Sequence, residues 1–115
     1  MRVQNGSNIE LFQYSAPDQD TRLAVNSSYA GHHLAIYVDD IDKAVASLAK
    51  RRGARKLLGP LPVTEGPAAG QSINYFGTPL GHYVELISYP KGMAYEKTAA
   101  VKLWSPKDVG RRKHR

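Results

Sequence analysis

Three side chains of this 115-residue sequence could hold a metal ion or move a proton: Glu10, His33 and Glu85. Each glutamate lies in the middle of an otherwise apolar run, NIELFQY for the first and YVELISY for the second. A buried and unpaired carboxylate is costly, so each requires a cation, a hydrogen-bond network or water. One imidazole with two carboxylates suits a divalent first-row metal such as Ni, Zn, Fe, Mn or Co. The alternative is a half-exposed strand with its glutamate in solvent and a histidine that is only structural.

The two glutamates belong to a short internal repeat. GSNIELFQY at residues 6–14 parallels GHYVELISY at residues 81–89, and both match G-x-x-[IV]-E-L-x-x-Y. A duplicated module explains this self-similarity. The first copy would then be the closing strand of an earlier module, and we expect the chain to begin inside its own first repeat.

The elements that must position these residues follow the order strand, helix, strand, strand, strand. HLAIYV at 33–38 alternates as a strand, with His33 on the face opposite Leu34. Asp39 and Asp40 offer an N-cap to a helix that Gly53 ends. Parity in the last strand puts Glu85 opposite Val84 and away from the helix side. The remaining expectations are strands at 8–14, 55–58, 71–76 and 83–89, a mobile loop beside the cleft at 59–70 and a turn at 77–81.

Composition restricts the class of protein. The absence of cysteine excludes disulfides, a thiolate metal site and a cysteine nucleophile. No apolar run approaches the ~20 residues of a membrane helix, and no signal peptide opens the chain, so we expect a cytoplasmic protein that does not bind membranes. The net charge of +6 comes largely from the basic tail at 111–115. We interpret this charge as a solvated tail, because the sequence has neither the aromatic platforms nor a recognisable motif of a nucleic-acid-binding protein, and we do not expect nucleic acid as a partner.

At these residues the sequence resembles the vicinal oxygen chelate superfamily, which includes glyoxalase I, bleomycin-resistance proteins and extradiol dioxygenases. The resemblance is carried by GHHLAIYVDDIDKA at 31–44, EGPAAGQ at 65–71 and GHYVEL at 81–86. It implies an α+β fold, with a βαβββ module of the glyoxalase/bleomycin-resistance type preceded by one extra strand. The implied organisation is an incomplete first module at 1–16, a linker at 17–30, a complete module at 31–90 and a C-terminal extension at 91–115.

The resemblance also assigns roles to the residues. Glu10, His33 and Glu85 occupy positions of metal ligands, and Glu85 is the expected catalytic base. The family's fourth ligand lies on a strand that this sequence lacks. The expected substrate-binding residues are Tyr37, Tyr75 and His82.

The predicted function is that of a metal-dependent, glyoxalase-like lyase or isomerase acting on a small substrate with vicinal oxygens. The metal would be a Lewis acid that stabilises an enediolate. The alternative is a metal-free, small-molecule-binding protein of the resistance type, and a third reading is a nucleic-acid accessory protein that uses the basic tail. We expect a homodimer, because a single module leaves sheet edges and an apolar concave face uncovered.

Overall fold

The computed structural model describes residues 8–29, 31–103 and 105, and the chain divides into two compact units. The smaller unit comprises Met1–Arg22 and Leu103–Arg115, and the larger unit comprises Leu23–Lys102. The basic tail at 111–115 lies outside the described residues. Trp104 also lies outside them.

In the smaller unit, the strand expected at 8–14 is reduced to one bridge residue, Asn8. Residues 9–14 lie outside any helix or strand. Leu11, Phe12 and Tyr14 are 71%, 72% and 75% exposed, so neither face of this segment is buried. A strand gains its stability from pairing and from burying one face. The alternation in the sequence therefore did not suffice to form one here.

The larger unit contains the predicted module. Its sheet has the order β1-β4-β3-β2, in which β1 is parallel to β4 and the other neighbours are antiparallel. This arrangement confirms the α+β fold class and a βαβββ module. The elements are β1 His33–Tyr37, α1 Ile41–Ala49, β2 Arg55–Pro62, β3 Ser72–Gly77 and β4 Tyr83–Ser88, followed by a 3₁₀ helix at Ala94–Lys97.

The helix α1 begins where the sequence predicted. The Asp40 carboxylate accepts a hydrogen bond from the Lys43 N–H at 3.0 Å, which satisfies one of the free amides of the first turn. Ile41 and Val45 face the sheet, and they form the buried core with Phe76 and Leu86. This core determines which face of the sheet α1 covers, and the opposite face is free of the helix.

Strand β2 corrects the loop expected at 59–70, because the strand continues to Pro62. Gly59 and Pro60 lie inside it, joined by a cis peptide bond and flanked by shifts of register against β3. Gly59 has φ +102°, and a Cβ there would lie 2.9 Å from the Asn74 Oδ1. The two residues that favour loops instead form an irregular strand segment, which a β-bulge accommodates.

The segment at 63–71, which contains the rest of the predicted loop, is held by backbone hydrogen bonds. Ala69 accepts from the Ala94 N–H at 2.8 Å, and Pro67 accepts from the Tyr95 N–H at 2.9 Å. Two hydrogen bonds therefore join the 3₁₀ helix to this loop. The mobility of the loop stays a prediction. Within the described residues, no helix is long and apolar enough to span a lipid bilayer.

Candidate active site

The candidate site lies on the face of the sheet that α1 leaves uncovered. In the pairing register, Glu85 on β4 lies between Ala35 on β1 and Tyr75 on β3. Because side chains alternate along a strand, these residues share a face with His33 and are opposite Leu86, which is in the core. The parity argument from the sequence thus placed His33 and Glu85 on the same face.

His33 and Glu85 are in direct contact. The His33 Nε2 lies 3.1 Å from the Glu85 Oε2, and the Tyr75 hydroxyl lies 3.4 Å from the same nitrogen. The Tyr75 ring meets the His33 ring edge-on, with centroids 5.1 Å apart. Three polar groups from three neighbouring strands therefore converge on one point of the sheet.

Burial makes this contact important. Glu85 is 8% exposed, so its carboxylate depends on a partner, whereas the His33 side chain is 34% exposed and reaches solvent. The single Nε2 either donates a proton to Glu85 or accepts one from Tyr75, and it cannot do both. Burial, and then the neighbouring Glu85 carboxylate, raise the pKa of the Tyr75 hydroxyl. Tyr75 is therefore a neutral hydrogen-bond donor at physiological pH.

Two of the three predicted metal ligands have the spacing that a shared ion requires. With bonds of about 2.0–2.2 Å, a nitrogen and an oxygen at adjacent positions of a divalent ion lie about 3 Å apart. The observed 3.1 Å between the His33 Nε2 and the Glu85 Oε2 matches this separation. The donors present therefore fit part of a metal site, with further positions left to other ligands.

Glu10, the third predicted ligand, belongs to the smaller unit and is exposed. Across the part of the chain that the structure describes, no three His, Cys, Asp or Glu side chains are grouped as a metal site. The sequence repeat indicated that Glu10 and Glu85 are equivalent, but it carried no information on where the first copy lies in space.

Tyr37, predicted to bind substrate, shares the site face by parity but has a buried hydroxyl. That hydroxyl has no hydrogen-bond partner among the described residues, and the ring packs against Tyr89 with centroids 4.8 Å apart. Burial, aided by the nearby Asp39 carboxylate, raises the pKa of Tyr37 to about 12. Tyr37 therefore packs beside the convergence point rather than joining it.

His82 precedes β4 and is exposed, as expected of a residue at the rim. The backbone N–H of His82 donates to the Thr78 Oγ1 at 3.1 Å, and the centroids of the His82 and His32 rings lie 5.7 Å apart. Sequence reasoning grouped His82 with Tyr75 as substrate ligands and missed that Tyr75 itself contacts His33. Tyr75, Glu85 and His33 lie on the same face of their strands, and β4 lies between β1 and β3 in the sheet. The contact could have been predicted once this strand order was known.

The fold and the site together define a small α+β protein with a histidine–glutamate pair on an open sheet face. No family model matches the chain, and no solved structure matches it at a significant level. It is similar to a 2-epi-5-epi-valiolone epimerase from Actinomyces sp., with 44% identity over 106 residues. The match covers 92% of this chain and 58% of the relative, so the chain spans little more than half of that protein's length. This similarity to an isomerase supports the superfamily resemblance drawn from the sequence.

Proposed function

We propose that the chain is a vicinal oxygen chelate protein that catalyses epimerisation of a small hydroxyketone. The proposal is carried by the pairing of His33 with the buried Glu85 in a chain 44% identical to an epimerase. Epimerisation next to a carbonyl requires removal of a proton from carbon and its return to the opposite face. A carboxylate beside an imidazole is suited to such proton transfer.

In this proposal Glu85 is the base. It takes the proton from the carbon next to the carbonyl, and the electron pair of the broken C–H bond moves onto the carbonyl oxygen. The Tyr75 hydroxyl, 3.4 Å from the His33 Nε2, is placed to donate a hydrogen bond to that oxygen. His33, whose Nε2 lies 3.1 Å from the Glu85 Oε2, holds the carboxylate in position. Water on the other face of the carbon supplies the returning proton, and the electron pair moves back from the oxygen to form the new C–H bond. Glu85 then releases its proton to solvent, which completes the inversion.

The proposal retains a divalent ion held by His33 and Glu85, whereas Glu10 as a further ligand stays a prediction from the sequence. When bound, the ion supplies a Lewis acid that polarises the substrate's oxygens. The His33 Nε2 and the Glu85 carboxylate would then be ligands of the ion in place of their contact with each other, and Tyr75 would remain a neutral hydrogen-bond donor.

Exchange of the substrate's C–H proton for deuterium tests this function. The chain is incubated with 2-epi-5-epi-valiolone in D₂O, with and without added Mn²⁺, Ni²⁺ or Zn²⁺, and loss of the C–H signal is followed by NMR. We expect Glu85→Gln to slow the exchange by about 100-fold or more. Glu65→Gln is the matched control, because Glu65 is exposed on the loop at 63–71. Exchange that is unaffected by Glu85→Gln would refute the assignment of the base.

A second function, binding of a small molecule without turnover, is favoured by the incomplete ligand set of the described residues. Under this function 2-epi-5-epi-valiolone would bind in calorimetry and stay unchanged in D₂O, whichever ion is supplied. His33→Asn would then weaken binding of the compound without any effect on exchange.

A further inference from the structure

The face of the sheet opposite the candidate active site carries a cavity that the proposed function does not use. It has a volume of about 560 Å³ and lies between α1 and the sheet. Its apolar lining includes Ile36, Leu48, Phe76 and Val84. A volume of this size falls in the range of roughly 300–1,000 Å³ typical of small-molecule sites. The thickness of the sheet separates it from His33 and Glu85.

The charged residues of this cavity are two arginines, Arg51 and Arg52, which follow the end of α1. Both are exposed, and within the described residues no ion pair joins either of them to a carboxylate. The lining contains no acidic residue. The cavity thus combines a largely apolar lining with two exposed positive charges.

We infer that this cavity binds a small amphipathic anion, namely an apolar chain that ends in one carboxylate. The chain replaces water against Phe76, Leu48 and Val84, and this gain follows the apolar area removed from water. The carboxylate receives charge-assisted hydrogen bonds from Arg51 and Arg52. The inference is independent of the epimerase proposal, since no residue of the cavity lies at the His33–Glu85 pair.

Calorimetric titration with decanoate below its micelle concentration tests the inference, with decanol as the uncharged probe. We expect one decanoate per chain. The double substitution Arg51→Gln and Arg52→Gln should weaken decanoate binding by about tenfold or more and leave decanol binding nearly unchanged. Lys50→Gln is the matched control, because Lys50 is a neighbouring cation that does not line the cavity. Equal loss of decanoate in this control would overturn the role of the two arginines.

Two further measurements locate the site without changing the core. Ser47 lines the cavity and is exposed, so Ser47→Phe should block the cavity and abolish binding of both probes without unfolding the chain. In ¹⁵N–¹H spectra, decanoate should shift the amides of Ala44, Leu48 and Val84 and leave Glu85 in place. No saturable binding, binding of several decanoates per chain, or shifts centred on Glu85 would each refute the inference. So would a dimer that Ser47→Phe dissociates, which would make this face an interface between copies of the chain.

Discussion

At the scale of single residues, the sequence predicted which face of the sheet holds His33 and Glu85, but it did not predict the position of Glu10. Alternation along two short strands sufficed to place His33 and Glu85 on one face, because the period of a strand is two and both strands are short. The 3.1 Å contact between them required the parallel register of β1 with β4, which depends on pairing and not on either strand alone. The position of Glu10 could not be derived in the same way, since its segment buries no side chain that would fix it.

The buried hydroxyl of Tyr37 should lower the stability of the folded chain, and removing it tests this. Its hydroxyl is buried without a hydrogen-bond partner among the described residues, which costs stability. Tyr37→Phe should therefore raise the free energy of unfolding by about 1 kcal/mol, measured by urea denaturation at neutral pH. Tyr14→Phe is the control, since Tyr14 is 75% exposed and the substitution should have little effect. A clear loss of stability in Tyr37→Phe would show that the hydroxyl has a partner.

The same hydroxyl gives a dependence on pH. Its pKa is raised to about 12 in the folded chain, chiefly by burial, whereas an unfolded tyrosine titrates near 10. The folded state binds this proton more tightly, so stability decreases as pH rises from about 10 to about 12. We expect Tyr37→Phe to lose less stability over this interval than the wild type does. Absorbance of phenolate at high pH should show one fewer late-titrating tyrosine in the variant.

At the scale of the elements, the helix was predictable and the second strand was not. Asp40, the apolar spacing of α1 and Gly53 all favour the same helix. A helix is predictable from sequence when its local signals agree in this way. In β2, Gly59 and Pro60 favour a loop, and only pairing with β3 keeps them in a strand. That pairing involves residues distant in sequence, which explains why the sequence indicated a loop there.

The cap of α1 should make stability depend on acid. Hydrogen bonds from the Lys43 side chain and its backbone N–H hold the pKa of Asp40 below its usual value. A lowered pKa contributes stability above the unfolded value of about 3.9, and this contribution is lost as pH falls through the folded pKa. Asp40→Asn keeps the cap but lacks the charge, so it should be less stable than the wild type at pH 6 and equally stable in strong acid. Asp42→Asn, which removes another carboxylate from the first turn of the same helix, is the control in urea denaturation. A difference between wild type and Asp40→Asn that does not change with pH would contradict the assignment.

The 3₁₀ helix should control the loop at 63–71. Ala94→Pro removes the N–H that bonds to Ala69, and the extended backbone of Met93 suits a residue that precedes proline. The loop loses one hydrogen bond, worth about 1 kcal/mol, and the Ala69 carbonyl must move away from the proline Cδ that replaces the N–H. We therefore expect roughly fivefold faster amide exchange and proteolysis within 63–71, while α1 is unaffected. Lys91→Ala, an exposed change nearby, should leave the loop as it is. Equal protection of the loop in Ala94→Pro would show that other contacts hold it.

At the scale of the whole molecule, the exposed surface of the module argues for a homodimer. In the sheet, β1 and β2 are the outer strands, and each has one neighbour among the described residues. Leu58 and Leu61 on β2 are 64% and 42% exposed, and their register against Tyr75 and Ile73 places them on the site face. Exposed strand edges and apolar side chains together favour association with another chain.

Two copies that meet through β2 and the adjoining site face would bury these leucines. We expect sedimentation at micromolar concentration to show a dimer, and Leu58→Lys to shift it to monomer, because a lysine there places charge in the interface. Leu80→Lys is the control: Leu80 is 77% exposed in the turn before β4 and away from the edge of β2. Circular dichroism would verify that Leu58→Lys keeps its fold. A wild-type chain that stays monomeric over this range, or a dimer that Leu58→Lys leaves intact, would place the interface elsewhere or remove it.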